Sequence, residues 1–206
     1  MLRRLVILSV LLGTLGAPLV APSAAVAATT CGPGVRGDID GNGIGDLVVG
    51  ATRYYSGTRP VTTFDVILYP GGERTSIDAP DIDGAVEPSV SLRRAAIGDL
   101  NGDGCADVAF AADQNTIPVT AGTRVYVVPG SSHGLVLDQA IRIDVPGDHV
   151  QQVAVLPRST GSQVAVTTTT ASRQNALHMV TLNAALEAVQ TTTVTAASLG
   201  IACSQE

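Results

Sequence analysis

The chain has 206 residues, a formal net charge of −6, and few charged (15%) or aromatic (3%) residues. An acidic composition with no basic cluster and so few aromatic side chains argues against a nucleic-acid-binding protein. After the N-terminal segment no apolar run reaches the length of a membrane-spanning helix, so we expect no membrane insertion of the mature chain.

A secretion signal is predicted at residues 1–28. The first residues are basic, residues 5–12 form a short apolar core, and small residues at 25–28 suit a signal peptidase. The apolar core is too short to serve as a stable membrane anchor. We therefore expect residues 29–206 to be secreted into an oxidising compartment, where free Ca²⁺ is plentiful.

A loop rich in Asp and Gly follows at residues 38–46 (DIDGNGIGD) and returns at residues 99–107 (DLNGDGCAD). Both copies read D-x-[DN]-G-[DN]-G-x-x-D, and each precedes a short apolar run. Oxygen-bearing side chains occupy positions 1, 3, 5 and 9, and glycines occupy positions 4 and 6, where a tight loop needs backbone freedom. A ring of hard oxygen donors of this kind is what Ca²⁺ requires.

Each loop has a proposed calcium ligand set of four side chains and one backbone carbonyl. Each set holds three carboxylates, which would repel one another without a cation. The proposed ligands are Asp38, Asp40, Asn42, the carbonyl of Ile44 and Asp46 in the first loop, and Asp99, Asn101, Asp103, the carbonyl of Cys105 and Asp107 in the second. We expect both ions to be structural.

Two other interpretations of the loops deserve comparison. Asn, Asp and Gly are typical turn residues, so both stretches could be turns that bind nothing. An EF-hand is not favoured, because position 12 is Val49 in one copy and Phe110 in the other, where that loop carries a bidentate Glu. The short apolar runs after the loops are typical of strands rather than helices.

Further strand candidates give each loop a similar surrounding unit. The loops start 61 residues apart, a period typical of arrays of small sheets. Residues 65–69 and 124–128 align at a spacing of 59, each followed by a Pro-Gly turn. Strands are also predicted at residues 75–77 and 141–145.

A third unit lacks the calcium loop. Strands are predicted at residues 152–156, 163–166, 177–182 and 191–194, and residues 159–162 form a plain turn in place of the loop. This unit has no carboxylate set, so we expect no calcium there. Residues 182–189 are rich in helix-forming residues and are predicted to form one helical turn.

The sequence therefore predicts an all-β fold of about three propeller-like blades, each with four antiparallel strands. The predicted blades cover residues 35–80, 90–146 and 148–196. Closed propellers have four to eight blades, so this one is partial or open. A fragment of a longer protein, self-assembly with other copies, and an open wedge all stay possible interpretations.

The pattern resembles the FG-GAP repeat of integrin α-subunit β-propellers and its bacterial secreted relatives, including the VCBS repeats. The two loops, residues 46–51 (DLVVGA) and residues 125–135 (VYVVPGSSHGL) carry the resemblance. In that family the loop joins the first two strands of a blade and binds Ca²⁺ through positions 1, 3, 5, 7 and 9. The resemblance therefore implies the ligand sets given above. The FG dipeptide is missing before both loops, and the GAP tripeptide is only partly kept.

Three cysteines, Cys31, Cys105 and Cys203, predict one disulfide and one free thiol. A bridge between Cys31 and Cys203 would tie the two ends of the mature chain together. A bridge between Cys31 and Cys105 is the rival, since both lie near a calcium loop. The sequence leaves both pairings open.

No catalytic motif fits its required context. Residues 130–134 (GSSHG) match G-x-S-x-G, but a nucleophile elbow needs a strand leading into a helix, and we interpret the match as a turn. We therefore expect a secreted, calcium-stabilised binding or scaffold protein that is not an enzyme, with a protein or polysaccharide partner. The alternative is an accessory domain or fragment of a secreted hydrolase.

Overall fold

The computed structural model of the chain describes residues 31–32, 35–53, 61–78, 82, 90–114, 122–158, 161–170 and 172–199. The predicted secretion signal and Cys203 lie outside these residues. Within the described ranges, no helix has the length and apolarity needed to cross a membrane.

Three antiparallel sheets follow one another along the described part of the chain. The first contains β1 (Leu47–Arg53), β2 (Val61–Leu68) and β3 (Glu73–Ile77). The second contains β4 (Val90–Gly98), β5 (Asp107–Gln114), β6 (Thr123–Val128) and β7 (Ile141–Val145). The third contains β8 (His149–Leu156), β9 (Gln163–Thr169), β10 (Asn175–Leu182) and β11 (Ala188–Thr195). Strands that are adjacent in sequence pair within each sheet, which confirms the predicted all-β, blade-like and unclosed architecture.

Two details differ from the sequence-based expectation. The first sheet has three strands among the described residues, where a four-stranded blade was predicted. The predicted helical turn at residues 182–189 is wrong, because β10 continues to Leu182 and a tight turn leads directly into β11. In that turn the Asn183 side chain accepts the amides of Ala185 (3.0 Å) and Glu187 (2.9 Å), and Leu186 adopts a positive φ of 61°.

Strand pairing fixes which residues of the first two sheets are equivalent. Leu47 pairs with Ile67 in the first sheet, and Val108 pairs with Val128 in the second. Equivalent residues are therefore 61 positions apart in both strands of the pair. The sequence-based alignment of residues 65–69 with 124–128, at a spacing of 59, is wrong by two residues. A tight turn closed by the bond from the Gly72 amide to the Leu68 carbonyl (2.7 Å) follows β2, so the chain reaches β3 sooner than it reaches β7.

The sheets stack face to face and enclose two apolar layers. Between the first and second sheets, the rings of Phe64 and Phe110 pack with centroids 5.4 Å apart. Between the second and third sheets, the buried side chains include Val125, Val166 and Val180. Alternate residues of a strand point to opposite faces, so the second sheet is buried on both faces and every residue of β6 is buried. This stacking brings the two candidate calcium loops to the same end of the first two sheets.

Candidate metal centre

The first loop, which precedes β1, brings three of its carboxylates together. Asp38, Asp40 and Asp46 each offer an oxygen, and these oxygens all lie within 4.8 Å of one another. Asp38 is only 2% exposed, whereas Asp40 and Asp46 are half-buried. Oxygens at these separations can contact one cation of the size of Ca²⁺, so the residues present fit the ion that the sequence predicts.

Side-chain bonds to the backbone fold this loop. The Asp38 carboxylate accepts the amides of Asn42 (3.1 Å) and Gly43 (2.8 Å), and Asp40 also accepts the Asn42 amide (3.2 Å). Gly41 and Gly43 adopt φ values of 71° and 87°, a conformation that a side chain would disfavour. The glycines at positions 4 and 6 are therefore required by the backbone, as the motif predicted.

Two of the proposed ligands of the first loop have other contacts. The Asn42 side chain accepts the amide of Ile44 (2.8 Å) and donates to the carbonyl of Tyr69. Ile44 itself is exposed at the edge of the loop. Asn42 would have to exchange these bonds in order to bind a cation, so the three carboxylates are the assembled part of the ligand set.

The aspartate at position 9 performs the same structural task in both loops. Asp46 accepts the amides of Ile39 (2.7 Å) and Tyr69 (2.8 Å), and Asp107 accepts those of Leu100 (2.7 Å) and Gly130 (3.0 Å). In both cases the second donor lies 23 residues further along the chain. Each aspartate thus joins its loop to the end of the second strand after it. Sequence reasoning missed these partners because a backbone amide has no residue signature.

The second loop, between β4 and β5, is held by its own bonds instead of by converging carboxylates. Asp99 accepts the amides of Gly102 (2.6 Å) and Gly104 (3.1 Å), and Asn101 donates to the Asp103 carboxylate (2.9 Å). Asp103 also accepts the amide of Cys105 (2.8 Å). Across the described residues 99–107, no trio of carboxylates meets the 4.8 Å separation found in the first loop.

The two position-9 aspartates differ in how deeply they are buried. Asp107 is fully buried, and this burial raises its pKa to about 7, with smaller upward contributions from the carboxylates of Asp103 and Asp99. The amides that donate to Asp107 oppose the rise. Burial also raises the pKa of Asp46. A bound cation would oppose both shifts, because a nearby positive charge favours the ionised carboxylate.

A backbone bond joins the two loops, and a disulfide joins the second loop to the segment that precedes the first. Cys31 bonds to Cys105, with their Cα atoms 5.0 Å apart, so the structure contains the second of the two pairings that the sequence left open. The amide of Ala106 donates to the carbonyl of Asp38 at 2.7 Å. Because Cys105 occupies position 7 of the second loop and Asp38 position 1 of the first, the two candidate sites are held side by side.

Among the described residues of the remaining motif and the third unit, no carboxylate trio like that of the first loop is found. Ser132 lies 3.1 Å from the Nδ1 atom of His133, and both are exposed. The segment follows β6 through a bend to a short 3₁₀ turn, Leu137–Gln139, and does not enter an α-helix directly. In the third unit, the Ser162 hydroxyl accepts the amide of Arg158 (3.2 Å) and donates to its carbonyl (3.4 Å), at the position equivalent to the two candidate loops.

Comparison with protein families finds one match. A family model described as FG-GAP repeat matches residues 92–128, which run from within β4 to the end of β6 and include the second loop. Neither the search of curated proteins nor the search of solved structures gave a match. The chain therefore carries an FG-GAP repeat in its second sheet, and such repeats are typical of extracellular β-propeller modules.

Proposed function

We propose that this chain is a secreted, calcium-stabilised β-propeller-type module that binds a partner and has no catalytic activity of its own. The observation that carries the calcium proposal is the convergence of the Asp38, Asp40 and Asp46 carboxylates within 4.8 Å. The basic and apolar N-terminal segment supports secretion. The FG-GAP match supports a role as a binding or scaffold module. Proteins and polysaccharides are the partner classes expected from the sequence.

Calcium would act on the structure of the loop and take no part in a reaction. Asp38, Asp40 and Asp46 would hold the ion, which neutralises carboxylates that otherwise repel. Asp46 also accepts the amides of Ile39 and Tyr69, so the ion would stiffen the junction between the loop and β2. At a free calcium concentration about one hundred times the dissociation constant, one site adds about 2.7 kcal/mol to the free energy of unfolding.

The second loop is proposed as the weaker site. Its ligand set would be Asp99, Asn101, Asp103, the Cys105 carbonyl and Asp107. Asp103 already accepts hydrogen bonds from the Cys105 amide and the Asn101 side chain. Burial raises the pKa of Asp107 to about 7, so this carboxylate is partly protonated at neutral pH. Calcium binding there requires these bonds to rearrange and Asp107 to ionise. The first loop needs less rearrangement and should fill at lower calcium.

Thermal unfolding of the mature chain in millimolar calcium and in chelator tests the proposal. Calcium should raise the melting temperature of the parent. Asp40→Ala should remove more of this rise than Asp103→Ala, and the double variant should remove most of it. Asp138→Ala, an exposed acid outside both loops, is the matched control and should respond as the parent does. A double variant that keeps the full calcium response would contradict the site assignment, and hydrolysis of a broad panel of ester, peptide and glycoside substrates would contradict the non-catalytic role.

A further inference from the structure

The two apolar layers between sheets are built from equivalent positions. We name the face of each sheet that points toward the preceding sheet its leading face, and the opposite one its trailing face. Trailing-face Phe64 of the first sheet and Val125 of the second are equivalent by the 61-residue register, and each is buried against the next sheet. A glycine contact repeats as well, because the side chain of Ile97 lies near Gly37 and the side chain of Val155 lies near Gly98. One packing mode therefore occurs twice in succession.

The leading face of the first sheet exposes residues whose equivalents are core. Leu47 and Val49 are 46% and 39% exposed, whereas their equivalents in the second sheet, Val108 and Phe110, are fully buried. The acidic group on this face, Asp65, is only 5% exposed and accepts bonds from Arg74 and Ser76, both at 2.5 Å. The leading face therefore offers apolar side chains and a charge that is already paired.

The trailing face of the third sheet is uncharged. In β9, Val164, Val166 and Thr168 point into the core, so the alternate residues face outward. Pairing carries this face across the sheet, where its side chains include Ala165, Thr167, Leu177, Met179, Thr192 and Val194. None of these is Asp, Glu, Lys or Arg, although exposed sheet faces commonly carry charge. Thr167, Leu177 and Val194 also line an open groove of about 610 Å³.

We propose that two copies of this chain pair head to tail, with the leading face of the first sheet of each copy packed on the trailing face of the third sheet of the other. The occupant is a second copy because the first and third described sheets present complementary faces, and these faces fit the packing mode that already occurs twice between neighbouring sheets. Two such contacts between two copies close a ring of about six sheets, within the four to eight that closed propellers contain. Head-to-tail contacts form closed rings when the rotation per unit allows it.

The equivalence of positions between units predicts which two residues meet at the centre of this interface. Phe64 pairs with Gly50, four residues after Asp46, and Leu177 pairs with Thr167, four residues after Gln163, which is the equivalent position of the third unit. Leu177 is thus the equivalent of Phe64, and Val49 is the equivalent of Phe110. Because Phe64 packs on Phe110 at 5.4 Å, Leu177 of one copy should pack on Val49 of the other.

Sedimentation velocity and light scattering of the mature chain test the stoichiometry. The expected mass is that of a dimer, unchanged over a range of micromolar concentrations. A monomer at concentrations up to about 100 µM, or a mass that keeps growing with concentration, would overturn the closed ring.

Charge-swap variants test the geometry. Leu177→Glu and Val49→Lys should each weaken dimerisation by at least about 100-fold, because each buries an added charge in both contacts. Asp65 pairs with Val49 across the strands, but it already accepts bonds from Arg74 and Ser76. Mixing the two variants should restore a dimer, since one contact then pairs Glu with Lys and the other is the parental one. A symmetric back-to-back dimer would not be restored by mixing, and that result would refute the head-to-tail arrangement.

Two controls keep this test decisive. Val189→Lys changes an apolar residue that is 60% exposed in the bulged part of β11 and should leave the dimer intact. Circular dichroism checks that each variant is folded, and Thr167→Glu replaces Leu177→Glu if the latter is not. Restoration by mixing also shows that both variants remain folded.

Discussion

Removal of the disulfide between Cys31 and Cys105 is expected to lower the free energy of unfolding by about 4.5 kcal/mol. The bridge joins residues 74 apart in the sequence. Closing a loop of that length removes roughly 15 cal/mol/K of entropy from the unfolded chain, which corresponds to about 4.5 kcal/mol at about 25 °C. Cys105 is also fully buried, so Cys31→Ala with Cys105→Ala loses some packing in addition.

Urea unfolding measures this loss directly. The parent and the double variant are unfolded in chelator, so that calcium binding does not contribute to the difference. Cys203→Ala is the matched control and should leave the free energy of unfolding unchanged. If Cys203→Ala causes the loss, the reasoning fails and the bridge joins Cys31 to Cys203 instead, because the double variant would break either pairing.

Two further predictions concern a buried histidine and a loop glycine. Burial lowers the pKa of His178, which is held between Thr168 and Thr193, so it is neutral in the folded chain and binds protons more readily when unfolded. Its contribution to stability is complete above its ordinary pKa of about 6.5 and is lost as the pH falls toward the lowered value. Urea unfolding at about pH 7.5 and about pH 5 should show this loss. His178→Gln should reduce the loss, whereas His133→Gln at an exposed position should not. Gly43→Ala should lower the free energy of unfolding by about 1 kcal/mol through its φ of 87° alone, because no atom lies near the added methyl group. Gly71→Ala, also in open space, should be close to neutral, and thermal unfolding in chelator measures both variants.

The strands could be predicted from the sequence because strand formation depends on residues that are close together along the chain. Runs rich in Val, Ile and Thr, interrupted by Gly, Pro and Asp, predicted three units, and the described residues form three sheets. The helical turn at residues 182–189 was wrong because helix-forming composition was outweighed by the two amides that Asn183 accepts. Two bonds from one side chain decide a turn of this length more strongly than a weak average preference.

The candidate site was only partly predictable. Motif spacing named Asp38, Asp40 and Asp46, which the fold brings together. The difference between the loops depends on burial, and burial depends on how neighbouring sheets stack. Asp107 is enclosed by that stacking and Asp46 is not, although the two occupy the same motif position. The partner of Cys31 could not be chosen for the same reason, since it is set by contacts between units and not by spacing within one.

The enclosure of the second sheet on both faces also bears on how this sequence can change over time. Every residue of β6 is buried, so a substitution there meets packed neighbours whichever way its side chain points. In β9 every second residue faces outward, and in β11 every residue is exposed or half-exposed. Mutational tolerance should therefore be lowest in the middle unit and should alternate with period two in β9. The unit that matches the FG-GAP repeat is therefore also the one expected to accept the fewest amino-acid substitutions.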